Sequence, residues 1–329
     1  MRYRTFPRTD LTVSEVGFGV WTVSTDWWGV TDPHVRRHLL KTAYHEHGIN
    51  FFDTGDTYGD GLGETILRDT LGDVRDAIAI ATKFGYDLSD QSGRPGHRER
   101  KQNWSPEFVR AACEASLRRL GTDRIDLYQL HNPRVQAIEN DELLRTLEEL
   151  QRSGKVRYIG VALGPAINER QIGEAQTATR RGYHSVQIIY NLLEQMLGEG
   201  SFEAARAREA GILVRVPHSS GLLEGNMTPD TEFPKWDHRS HRPREWLTEG
   251  LKKVEQLDFL TAGGGRTIGQ ASLKFVLREA AVMSTLPNIY DEQQLAEFAA
   301  APDTPDITDE EYERVQELYA RDFDVTPTA

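Results

Sequence analysis

The chain has 329 residues, 38% of them apolar, enough for a sizeable core whether it forms one large α/β domain or two average ones. Its formal net charge of -12 gives an acidic surface that repels phosphate backbones, so nucleic acid is not an expected partner. A single cysteine, Cys113, leaves no internal disulfide framework and fits a reducing, cytoplasmic setting, and no run approaches the roughly 18 apolar residues of a membrane span.

In chain order, the leading segment "MRYRTFPRTDLTVS" has no secretion-signal stretch and reads as a hairpin over a barrel floor. Eight short apolar runs follow: "EVGFGVW", "NFFDTG", "AIAIATKF", "IDLYQLH", "VRYIGVAL", "SVQIIYN", "ILVRVP" and "AVMSTLP". Each has the continuous apolar character of a strand buried on both faces. Between them lie stretches with helical periodicity, such as "DPHVRRHLLKTAYHEHG", "SPEFVRAACEASLRRLG" and "ENDELLRTLEELQRSG". Six helical stretches run into Gly48, Gly72, Gly121, Gly154, Gly182 and Gly211, where a left-handed residue would end each helix. With no composition break, eight β/α units predict a single (β/α)8 TIM barrel over residues 1–329; a doubly wound open sheet is the alternative.

Several segments fall outside the repeat. The polar stretch from His218 to Arg244 is too long for a connector and is expected to be a substrate-side loop. "HRERK" at 97–101 reads as a solvated loop, with a substrate-facing role as the alternative. "AGGGR" at 262–266 reads as a connector rather than an anion site, and "ITDEEYERVQELYA" as an extra C-terminal helix opened by a Thr-x-x-Glu capping box. Cys113 lies on an apolar helical pattern as a core thiol. His45 and His47 are two apart on a helix, which points them apart and gives no metal site. Neither a dinucleotide-binding Gly-x-Gly-x-x-Gly nor a Walker loop occurs.

In a barrel of this kind the loops after the strands converge on one mouth. Strand two ends at Asp53, with Tyr58 in the loop behind it; strand three presents Lys83 and strand four His131. An ammonium beside a phenol, whose ordinary pKa is about 10, favours the phenolate and makes Tyr58 a usable acid or base. Asp53 can hold Lys83, and His131 can orient a carbonyl or assist the proton transfer. Such a set suits protonation of a carbonyl oxygen as hydride reaches carbon, or the reverse. A structural ion pair, a polar histidine and a loop-anchoring tyrosine are the bland readings of each residue taken singly.

These stretches, "LTVSEVGFGVW", "INFFDTGDTYGDGLGE", "IATKFG", "SLRRLGTDRIDLYQLHNP", "LEELQRSGKVRYIGV" and "VQIIYN", resemble the aldo-keto reductase family across essentially the whole chain. The resemblance implies a barrel that binds NADPH or NADH and interconverts aldehydes, ketones or sugars with alcohols without metal. It gives Asp53, Tyr58, Lys83 and His131 the family's catalytic places, with Tyr58 as the acid. It also puts Trp21, Trp27 and Trp28 along the substrate pocket. Gln187 matches a carboxamide contact, Arg215 the residue that stacks on nicotinamide, and Pro217 to Ser220, with His218 between, the chain that wraps the pyrophosphate.

The cofactor end departs from the pattern. Ala162 and Leu163 replace the family's Ser-Asn pair, so those side chains cannot hold the carboxamide. Where the resemblance places cations for the 2'-phosphate of NADPH, the chain has Asn288, Ile289, Tyr290 and Gln294, with Asp291 adding negative charge. A carboxylate repels that phosphate but accepts from a free ribose hydroxyl, so NAD(H) is expected over NADP(H). Glu297 matches an acid near the adenine, and Phe298 replaces an asparagine. The missing Ser-Asn pair also motivates a second expectation, a cofactor-binding regulatory subunit with vestigial catalysis. A third is transient use of bound nicotinamide, as in epimerisation.

Overall fold

The strands form where the apolar runs stand and the helices between them are closed by short polar caps. The structure, a computed structural model, describes residues 1–89 and 99–325. Asp32, Ser105 and Asn140 cap the helices Pro33–His45, Pro106–Leu120 and Asp141–Arg152 by accepting from first-turn amides. Thr308 and Glu311 form the expected capping box of the tail helix Asp309–Ala320. Arg266 of the Gly-rich connector ties to that helix through Glu311 and to the Pro305 and Asp306 carbonyls.

Strands β1 (Tyr3–Thr5) and β2 (Thr12–Ser14) pair antiparallel. Eight parallel strands follow in sequential order: β3 (Phe18–Gly19), β4 (Phe51–Asp53), β5 (Ala79–Phe84), β6 (Ile125–His131), β7 (Val156–Ala162), β8 (Ser185–Ile189), β9 (Gly211–Arg215) and β10 (Val282–Leu286). The ladder closes where the Gly17 amide donates to Thr285 O at 2.9 Å and the Thr285 amide to Glu15 O at 2.9 Å. The result is the (β/α)8 barrel. Its interior is packed by Phe51, Leu127, Leu213 and Met283, and the hairpin adds Phe6, Leu11 and Val13 from below. Burying a side chain such as Phe6 contributes ~1.5–3 kcal/mol. Gly211 makes room for it, because a Cβ there would lie 2.3 Å from the Phe6 ring.

The glycine punctuation needs two corrections. Gly48, Gly121, Gly154 and Gly182 have φ of +70°, +64°, +77° and +86°, as helix stops do. Gly72 keeps helical φ of -63° and leads into a 3-10 turn, while Gly211 begins β9 and Glu209, at φ +51°, takes the left-handed position. Gly211 is thus a glycine for packing, not for chain reversal.

Candidate active site

Register brings the strand ends to one level. Lys83 on β5 pairs with Gln129 on β6, His131 with Ala162 on β7, Ala162 with Gln187 on β8, and Ile189 with Arg215 on β9. Tyr58 comes from the loop after β4. Gly59, at φ +58°, lets that loop pass so close to the short helix Trp21–Ser24 that a Cβ would sit 2.2 Å from Ser24 O. This contact aims the phenol back over the barrel.

An ammonium has three donors, and all three are used. Lys83 Nζ donates to Asp53 Oδ1 at 2.5 Å, Thr54 O at 2.7 Å and Tyr58 Oη at 3.0 Å. Asp53 Oδ2 accepts from Gln129 Nε2 and Gln187 Nε2, each at 3.0 Å. Burial of Lys83 works against its charge, but the Asp53 carboxylate and the Tyr58 oxygen outweigh it and hold its pKa above the ordinary lysine value. Because the phenol oxygen accepts from the ammonium, its own hydrogen can point into the cavity.

That cavity, of about 560 Å³, is lined by Tyr58, Lys83 and His131, by Trp21 and Trp27, and by Arg215, Gln187, Asn288 and Ala162. His131 stands edge-on to Tyr58 with ring centroids 6.0 Å apart, and edge-on to Tyr86 at 5.0 Å. Burial, then the charges of Lys83 and Arg215, push its pKa well down, so the imidazole is neutral. His238, from the long loop, closes one wall: its ring lies parallel to Trp27 at 5.6 Å and edge-on to Trp21 at 4.9 Å. Trp28 is not among the lining residues, but it stands edge-on to Trp21 at 5.8 Å and stacks on Tyr290 at 5.8 Å. Of "HRERK", His97 and Arg98 lie outside the described residues, whereas Glu99 and Arg100 line the cavity mouth.

Arg215 Nη2 donates to Leu163 O at 3.1 Å and Pro165 O at 2.8 Å, so the guanidinium is pinned to the end of β7 by backbone carbonyls. Burial lowers its pKa against the opposing pull of Tyr58 and Asp53. Behind the Tyr58 loop Asp56 is buried, its pKa pushed up to about 8 by burial and then by Glu64; its Oδ1 has no partner among the described residues. Glu64 itself accepts from Thr82 Oγ1 and Arg119 Nε, each at 2.6 Å.

Beyond Arg215 and Val216, which line the mouth, the chain after β9 turns into a buried polar segment. Pro217 O accepts from Ser272 Oγ at 2.6 Å, and His218 Nε2 lies 3.0 Å from Gly269 O with its ring 4.3 Å from that of Phe298. Ser219, Ser220 and Gly221 all have positive φ (47°, 57° and 103°), and Arg242 Nη2 donates to Ser220 Oγ at 3.2 Å. Successive residues of this kind with a nearby cation make an anion-binding concavity. At the far end Tyr290 Oη and Gln294 Nε2 both donate to Glu224. Asp291 instead accepts from the Gln294 amide at 2.7 Å and caps the helix Glu292–Ala300. Glu297 accepts from Thr267 Oγ1.

Sequence reasoning missed Gln129, Glu224, His238 and Arg242. Gln129 had a readable signal, since it lies two residues before His131 and so on the same face of β6. Glu224 and the loop residues had none, because their partners are distant in sequence. Among the described residues no group of three His, Cys, Asp or Glu is placed to hold a metal ion, and no helix is long and apolar enough to cross a membrane.

Fold and mouth together define the class: a (β/α)8 oxidoreductase acting on carbonyl or alcohol substrates. The family model described as "Aldo/keto reductase family" matches residues 15–320, and the chain belongs to that family. It is 30% identical over 310 residues to an NADH-specific methylglyoxal reductase of Escherichia coli (strain K12), covering 89% of this chain and 91% of the relative. It is 27% identical over 284 residues to the NADP(+) aldo-keto reductase yakc of Schizosaccharomyces pombe (strain 972), covering 84% and 80%. Among solved structures, the glycerol dehydrogenase AKR11B4 from Gluconobacter oxydans superposes with a TM-score of 0.81 at 27% identity, over 99% of this chain and 97% of that one.

Proposed function

We propose that the protein interconverts a small carbonyl compound and its alcohol, with Tyr58 giving or taking the proton and NAD(H) as the preferred nucleotide. The observation that carries this reading is the triple hydrogen bonding of Lys83, which leaves the Tyr58 hydrogen as the donor free to face the cavity. The left-handed run at Ser219–Gly221 with Arg242, and Gln187 with Asn288 at the mouth, are a donor set suited to a nicotinamide dinucleotide. Bound there, a nicotinamide supplies or accepts hydride.

The rest falls to this chain's own residues. In reduction the carbonyl oxygen takes the phenol hydrogen as its carbon gains hydride, and the charge left on Tyr58 Oη sits 3.0 Å from Lys83 Nζ. Asp53, held by Gln129 and Gln187, keeps that ammonium in place. His131, being neutral, can direct a ring hydrogen to the same carbonyl oxygen without adding charge. Trp21, Trp27 and His238 offer flat surfaces that displace water from the substrate. Methylglyoxal and glycerol, named for two of the relatives, are both small, and a cavity of about 560 Å³ suits substrates of that size. A cytoplasmic setting fits the single buried thiol.

The test is nicotinamide absorbance in purified protein mixed with NADH or NADPH and a panel of small aldehydes, ketones and polyols. Turnover supports the reading. A second reading, a cofactor-binding regulatory subunit, draws on Ala162 standing in the cavity where a side-chain donor would be expected. Tight nucleotide binding with no turnover across the panel, together with a stable protein complex, would favour it.

A further inference from the structure

We propose that Arg100 anchors an anionic group on the substrate, so that the mouth takes small carbonyl compounds carrying a carboxylate or a phosphate, or the corresponding alcohols. The proposal rests on the oxidoreductase function above and names the substrate class of that same site.

Arg100 stands in "HRERK", at the point where the described chain returns to the end of β5. The Asp87 amide donates to Lys101 O and the Asn103 amide to Gly85 O, each at 2.8 Å. Gln102 Nε2 donates to His131 O at 2.9 Å and Asn132 O at 3.1 Å. The backbone after Arg100 is thereby fixed to the ends of the two strands that carry Lys83 and His131. Before it, Glu99 accepts from Tyr86 Oη at 2.5 Å and from Arg134 Nη2 at 3.3 Å. A residue held from both sides is ordered before its ligand arrives, which lowers the cost of binding.

Its charge is under-matched. The Arg100 side chain is only 10% exposed, yet Nε and Nη1 have no partner among the described residues, and Nη2 is engaged by Asp60. Unpaired donors of a buried guanidinium carry a desolvation cost that an incoming oxygen removes. Asp60 is 62% exposed, so water supports its carboxylate when a second anion competes for the guanidinium. With a single hydrogen bond to hold it, the guanidinium can turn its unpaired edge to the cavity that Arg100 lines. That planar fork matches carboxylate or phosphate oxygens two at a time.

The rest of the cavity has the same sign. Among its charged lining residues Asp53 is matched by Lys83 and Glu99 by Arg134, which leaves Arg100 and Arg215. Arg215 is bonded to backbone carbonyls alone, and β9 is four strands from β5 in the ring of eight, so the two guanidiniums stand on opposite sides of the mouth. Arg100 is the one on the side of Tyr58. Its partner Asp60 is two residues beyond Tyr58, which keeps their Cα atoms within about 7 Å. An anionic group a few bonds from a carbonyl can therefore meet Arg100 while the carbonyl oxygen meets the phenol. On a chain of net charge -12, surplus positive charge in the mouth draws in an anion that the outer surface repels.

The experiment is steady-state turnover with NADH or NADPH on two aldehyde pairs, 4-oxobutanoate against its methyl ester and glyceraldehyde 3-phosphate against glyceraldehyde. Each pair keeps the aldehyde and changes the charge, and the pair with the larger ratio tells carboxylate from phosphate. Native protein is expected to show kcat/KM at least about tenfold higher for the anionic member of one pair or both, the factor of one charge-assisted contact. Arg100→Gln should cut that ratio about tenfold through KM, and Arg100→Lys should keep part of it. Asp60→Asn, which removes the competing carboxylate, should lower KM for the anionic member. A merely structural Arg100–Asp60 link would instead raise KM for both members of a pair in both variants, and that result overturns the proposal. So does a native preference for the neutral member of both pairs, or a ratio that neither Arg100→Gln nor Asp60→Asn moves; each leaves the oxidoreductase reading standing. Absence of turnover with these four and with the wider panel of aldehydes, ketones and polyols overturns both.

Discussion

The barrel mouth and the turn after β9 hold their polar groups in different ways. At the mouth Lys83 uses all three donors, and Asp53 accepts from Lys83, Gln129 and Gln187, so this ion pair is satisfied before any ligand arrives. At the turn after β9 Glu224 Oε1 has no partner among the described residues, and Ser219–Gly221 hold a left-handed backbone beside Arg242. The first is pre-organised for developing charge, as electrostatic catalysis requires. The second keeps polar groups that the chain itself does not pair. The chain therefore sets a fully bonded ion pair near a turn whose polar groups are only partly satisfied.

The comparison breaks most visibly at Tyr58. Tyr58→Phe should lower kcat by about 10²–10⁴-fold, the usual range for a lost general acid, while leaving NADH affinity unchanged. Steady-state turnover with parallel binding titrations measures both, and full activity in the variant would end the proposed proton transfer. Lys83→Met tests self-sufficiency through stability. It strands the Asp53 carboxylate in a buried site, and urea unfolding should report a loss of ~3–5 kcal/mol. A neutral outcome would mean that Asp53 is solvated in solution and the catalytic end is less closed than its geometry implies.

Titration sharpens the contrast, because each end carries a buried group with an opposite dependence on pH. Asp56, pushed up to about 8 from 3.8, keeps its proton in the folded state while the unfolded chain loses it, so raising pH from about 4 to about 8 favours unfolding. His218, lowered by burial from 6.5 to about 4, stays neutral while the unfolded chain takes a proton. Its contribution is full above pH 6.5 and is lost as pH falls towards 4. Asp56→Asn should therefore gain on the native protein as pH rises through the first window, and His218→Gln as pH falls through the second. Each slope is at most roughly 1.4 kcal/mol per pH unit. Unfolding midpoints at a series of pH values read both, and parallel curves for native and variant proteins would refute the assignments.

The smallest effect expected is at Asp291. As a helix cap, its replacement in Asp291→Ala should cost about 1 kcal/mol of stability and leave the NADH to NADPH ratio where it was. A ratio that moves would give Asp291 a part in choosing the nucleotide as well as in capping the helix.

Local signals made the catalytic end readable. Asp53 and Tyr58 belong to one strand and its loop, and Lys83 and His131 each end an apolar run, so spacing alone grouped them. The capping box at Thr308 was readable for the same reason, being decided within three residues. Gly72 and Gly211 misled because a glycine near a helix end can serve packing or a tight turn as well as chain reversal. Trp28 packs edge-on against Trp21, its near neighbour in sequence, while its stacking partner, Tyr290, lies more than two hundred and fifty residues on, where local signals do not reach.

Sequence by itself determined the β/α alternation, the barrel and the gathering of Asp53, Tyr58, Lys83 and His131 at one mouth, because hydrophobic period, caps and strand-end placement are properties of short segments. Tertiary structure alone decided that Gln129 and Gln187 share the Asp53 carboxylate, that His238 closes the cavity, and that Glu224 rather than Asp291 stands with Tyr290 and Gln294. The hydrogen bonds to Glu224 and Asp53 among these span 66 to 134 residues. They exist because barrel closure sets distant strand ends at one level, where a buried polar group must find whichever partner the register brings to it.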